Sequence, residues 1–223
     1  MQPSNRFTVQ SAGSALAVNA MLKKVYALLA ATLLFSGLTA AIAMNMNVPP
    51  LNPILTILIY LGLLFLTSAC SNNPVRGIIA VFALTGFLGF TLGPILEMYL
   101  QLPNGSQLVG TALAGTGIIF FGLSAYALTT KKDFSYLGGF LSVIIMAAFL
   151  AGIASWVFHM PILSIVVSFV FAVASSALIL FQTSRIVNGG ETNYIMATVT
   201  LYIALFNLFL SLLRILSFFS NRN

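Results

Sequence analysis

The chain has 223 residues, of which 60% are hydrophobic and only 5% charged, and nine Lys and Arg against three Asp and Glu give a net charge of +6. Soluble domains carry about 25% charge and 45–50% apolar residues, so a water-facing globule is excluded, as is disorder, which needs low hydrophobicity. Cys70 is the only cysteine, which leaves no intramolecular disulfide and no cysteine metal cluster.

A membrane-spanning helix needs about 20 largely apolar residues, and the runs here suffice for about seven. Residues 1–24, rich in Ser, Asn, Gln and Ala and without an acid, read as a flexible cytoplasmic tail ending in Lys23-Lys24. Span one is expected from about Val25 to Met44. Ala41-Ile42-Ala43 at its end resembles a signal-peptidase site, but the leader before the run is long and the run itself is long enough to span. The linker Asn45–Pro53 holds three prolines and no charge. Span two is expected over Ile54–Ala69, span three over Ile78–Leu100, span four over Gln107–Thr129 and span five over Tyr136–Phe158. After the corner at His159-Met160-Pro161, span six covers Ile162–Phe181. A polar loop, Thr183–Asn193, leads to span seven at Tyr194–Leu216, and residues 217–223 form a short C-terminal tail. The runs are continuously apolar, without the alternation of β-barrel strands. The chain therefore reads as an all-α membrane protein with seven transmembrane helices, residues 25–216 forming one membrane domain without an internal repeat.

Arg6, Lys23, Lys24, Arg76, Lys131, Lys132 and Arg185 fall on the side of the N-terminus, and only Arg214 and Arg222 on the other. Cytoplasmic loops are enriched in Lys and Arg, which puts the N-terminus inside and the C-terminus outside. Scattered in this way, the cations do not make the one-faced patch of a nucleic-acid binder; the partner they suit is a lipid bilayer.

Residues able to do chemistry are few. Metal hydrolysis needs close-spaced His, Cys and carboxylate ligands, and His159 is the only histidine, beside Pro161. Asp133 is the only aspartate and sits in a loop, and no phosphate-binding Gly-rich loop is present. The reading is of a protein that is not an enzyme, with no cofactor and no metal. His159 and Trp156 suit interfacial positions, with His159 as an external proton sensor the sharper alternative. Glu97, three residues after Pro94, is a candidate for an outer vestibule, or else snorkels to the interface, where Arg214 at a similar depth is a candidate structural partner. Gly86, Gly89 and Gly93, and the series Ser164, Ser168, Ala172 and Ser176, have the small-residue spacing of close helix packing. In the loop, Gly189-Gly190 permits a sharp turn, and Glu191-Thr192-Asn193 can cap span seven.

Asn188-Gly189-Gly190-Glu191-Thr192-Asn193-Tyr194, with Ala197-Thr198, Leu201-Tyr202 and Asn207-Leu208-Phe209 beyond it, resembles the Bax inhibitor-1 family. So do Thr85–Phe90 with Gly93–Leu96, and Ser124–Asp133. The likeness extends over residues 20–216 and is greatest to the bacterial YccA branch. It implies six helices around a central seventh, in the inner membrane. Family members are described as pH-sensitive calcium leak channels and, in eukaryotes, as suppressors of cell death. The YccA branch is described as binding and restraining the membrane AAA protease FtsH. Leak-channel members carry a pair of proton-sharing aspartates at positions that match Gln182 and Ala204 here. A Gln–Ala pair does not titrate, so the coupled carboxylate switch is expected to be absent. The resemblance thus favours an FtsH-binding modulator. A cation leak using Glu97, Asn207 and Ser211 is the alternative.

Overall fold

The structure is a computed structural model that describes residues 4–220, with side chains from Leu16 onward. Its described residues form seven helices: α1 Ser4–Asn45, α2 Pro53–Cys70, α3 Pro74–Leu100, α4 Gly105–Thr130, α5 Leu137–Val157, α6 Pro161–Val187 and α7 Tyr194–Ser220. All seven are long and apolar enough to cross a membrane. The Asn-Pro pairs of the sequence start two of them. Asn52 Oδ1 accepts the Ile54 amide at 2.9 Å, and Asn73 Oδ1 accepts those of Val75 and Arg76. In each case proline occupies the first helical position, where no amide hydrogen is needed.

Helix α7 is the centre. It packs on α6, α4, α1 and α3, while α2 lies mainly on α3 and α5 on α6. Leu201, Tyr202, Ala204, Leu208 and Leu213 of α7 are buried, together with Val81 and Leu84 of α3 and Ile179 of α6. Gly86, Gly89 and Gly93 of α3 serve contact within the chain. A Cβ on Gly86 would lie 2.6 Å from the Phe35 ring, one on Gly93 2.6 Å from Ala43 Cβ, and one on Gly89 would collide with the Ser36 backbone. Tyr202 ties the centre together. Its hydroxyl bonds Ser36 at 2.6 Å and donates to the Thr85 carbonyl at 3.3 Å, linking α7 to α1 and α3.

Some boundaries differ from expectation. The expected tail falls partly outside the described residues (1–3, and the side chains of 4–15). Its remainder, Leu16–Lys24, is helix continuous with the first span, because Met21 and Leu22 have the core to pack against. The expected loop Thr183–Asn193 shrinks, because α6 continues to Val187. Thr183 and Ser184 read as loop residues by composition, yet both are fully buried in the last turns of the helix. In the C-terminal tail, α7 continues to Ser220, and Arg222 lies outside the described residues.

Candidate functional site at the basic end of the bundle

Alternating spans bring the start of α1, the end of α2, the ends of α4 and α6 and the start of α7 to one end. There, polar side chains join the loops. Gln182, buried in the last turns of α6, donates from Nε2 to Glu191 Oε2 at 3.3 Å. Arg185, one turn on, lies 3.5 Å from the same oxygen, donates to the Gly190 carbonyl at 3.0 Å and covers the Phe181 ring. Glu191 Oε1 accepts the Asn193 amide at 3.0 Å. Asn193 in turn caps α7, its Oδ1 taking the amides of Ile195 and Met196, and reaches the Ser71 carbonyl at the end of α2. Gly189 makes the turn possible with φ +73°, where a side chain would be strained.

A second knot holds the α4–α5 loop. The Ser184 hydroxyl donates to the Lys132 carbonyl at 2.8 Å and accepts the Phe134 amide at 3.0 Å, and Asn188 also reaches Lys132. Asp133 beside them is held below the usual carboxylate range by hydrogen bonds from Ser135, hydroxyl first and amide second. Sequence reading missed Ser184 and the clasp around Tyr202. The only available signal was Ser and Asn at one-turn spacing, which is common in any membrane helix.

The other candidate residues do not converge on this network. Ala204 is buried on α7 and offers no polar atom, and the amide of Gln182 donates to the loop carboxylate. Glu97 is half-buried near the opposite end, and its carboxylate makes no hydrogen bond or ion pair among the described residues. The candidate Glu97–Arg214 pair is not formed; Arg214 reaches Ser164 Oγ at 3.1 Å on α6 instead. Asn207 is half-buried and Ser211 buried on α7. Close by, Leu108, Ala112, Phe209 and Leu213, with Leu92 and Leu96 against them, fill the seam of α3, α4 and α7 with hydrocarbon. His159 is exposed in the corner after α5 with φ 51°, and Trp156 is 52% exposed.

The family described as "Inhibitor of apoptosis-promoting Bax1" matches residues 18–221. The chain belongs to the Bax inhibitor-1 family. Three relatives are bacterial proteins. An uncharacterized protein of Pseudomonas aeruginosa is 48% identical over 198 residues, 89% of each chain. A protein of Escherichia coli K12 named "Modulator of FtsH protease YccA" is 47% identical over 207 residues, 93% of this chain and 94% of its own. An uncharacterized membrane protein of Vibrio cholerae is 38% identical over 208 residues, 93% of each chain. The chain is therefore a multi-pass membrane protein of this family, similar to YccA over nearly its whole length.

Proposed function

We propose that this is a bacterial inner-membrane protein that binds an FtsH-type protease and restrains it without catalysis. The observation that carries the reading is the 47% identity, over 93% of the chain, to a protein named as a modulator of that protease. The basic end is the cytoplasmic one in this reading, since Lys23, Lys24, Arg76, Lys131, Lys132 and Arg185 gather there against Arg214 at the other. The N-terminal segment then lies on the side where an ATP-driven unfoldase works and serves as its handle.

Affinity purification of the tagged protein from gently solubilised membranes tests the association. Co-recovery of the protease is expected, and a preparation free of it counts against the reading. Deleting residues 1–20 is expected to alter turnover or inhibition; unchanged proteolysis removes the handle. The competing cation leak draws on one observation, the half-buried Glu97, whose carboxylate has no partner among the described residues. Liposome flux between pH 5 and 8 separates the two, the modulator reading expecting none.

A further inference from the structure

Helices α5 and α6 meet closely at two places along their seam. Near the basic end, a Cβ on Gly138 would lie 3.0 Å from the Phe181 ring; further along, one on Gly152 would lie 3.7 Å from Val167. Between these contacts the two helices leave a groove of about 350 Å³ whose walls expose no polar atom. Of its lining residues, Leu141 and Ala174 are buried, whereas Phe140, Phe169 and Val173 are exposed. The groove therefore backs onto the bundle and opens outward. Alanine at 174 and 177 leaves the space unfilled.

Its depth and shape say what fills it. Leu137, the first lining residue, follows Tyr136, which is exposed at the start of α5, and exposed tyrosines mark the headgroup level of a membrane helix. From there the groove runs inward along Phe169–Ala177, eight steps of α6 or about 12 Å. Half of a hydrocarbon core is about 15 Å, so the groove lies within the leaflet at the basic end. Its volume over that length gives a cross-section of about 30 Å². A helix about 10 Å across needs roughly 80 Å² and does not enter, whereas a single hydrocarbon chain does. Water has no polar group to hold it there, and an empty groove forfeits the dispersion contacts of its lining.

We propose that this groove holds one acyl chain of a phospholipid from the leaflet at the basic end. Recognition is by the chain: the rims of Phe140 and Phe169 flank it, and the alanines of α6 give it room. The headgroup contributes little to selection.

Native mass spectrometry of the full-length protein in mild detergent, titrated with phosphatidylethanolamine or phosphatidylglycerol of matched chains, tests this. The wild type is expected to retain one lipid of either headgroup and to release it when the chains are dihexanoyl. Ala177→Phe fills the groove and is expected to weaken binding roughly tenfold. Phe140→Ala, which removes an exposed rim and leaves the buried floor intact, is expected to weaken it without a large change in melting temperature, so the test stands even where Ala177→Phe folds poorly. Retention by both variants equal to wild type overturns the proposal. So does binding that follows headgroup and ignores chain length. A change in oligomeric state with Ala177→Phe, at unchanged lipid retention, would give the groove to a second copy of the chain and overturn it as well.

Discussion

The two ends of this bundle are closed by different physics. At the basic end, loops are tied by side-chain hydrogen bonds that cross the sequence, from Gln182 and Arg185 to Glu191, from Asn193 to Ser71, and from Ser184 to Lys132. At the opposite end, turns are mostly short and local, and the helices are sealed by an apolar cluster and by the glycine contact of α3 with α1. Polar closure is directional: each group specifies one partner, and a missing partner leaves a buried group unsatisfied. Apolar closure is steric, tolerant of chemistry and intolerant of volume. The two ends therefore respond to different kinds of substitution.

The largest expected effect is steric. Gly93→Leu would set a Cβ 2.6 Å from Ala43 Cβ and 2.8 Å from the Ala40 carbonyl, at a cost of about 3 kcal/mol, read as a lost melting transition in mild detergent. At the polar end, Gln182→Ala removes a buried amide and one donor from Glu191, for an expected loss of about 2 kcal/mol. Gln182→Met, close in size, separates volume from hydrogen bonding: if it matches wild-type stability, the polar account of this end fails. Asn193→Ala costs about 1 kcal/mol through the lost cap of α7, measurable by the same melt. Smallest is Glu97→Gln, which is expected to change stability by less than about 0.5 kcal/mol, because that carboxylate has no partner to lose. A large loss there would mean that Glu97 belongs to a polar closure of its own.

Much of this contrast was legible in the sequence, unevenly. Apolar runs interrupted by Asn-Pro and by Gly-Gly mark helix starts and turns by local chemistry, so α2, α3 and α7 begin within a few residues of expectation, and the capping role of Asn193 follows from its place before Tyr194. The small-residue spacing of α3 indicated close packing, and Gly89 against Ser36 supplies the contact. What was not legible depends on partners distant in sequence. Thr183 and Ser184 look like loop residues until α4 and α7 bury them. Glu97 and Arg214 share a depth along their helices, but rotation about the axis decides pairing, and it turns Arg214 toward Ser164. The bond between Ser36 and Tyr202 spans 166 positions and leaves no local trace.

The central functional claim is restraint of a membrane protease by binding, and co-reconstitution addresses it most directly. Proteoliposomes holding an FtsH-type protease and one membrane substrate are given ATP, with this protein absent or at increasing ratio, and the disappearance of the substrate is timed. The account predicts degradation that slows as the ratio rises; a rate unchanged at large excess would contradict it.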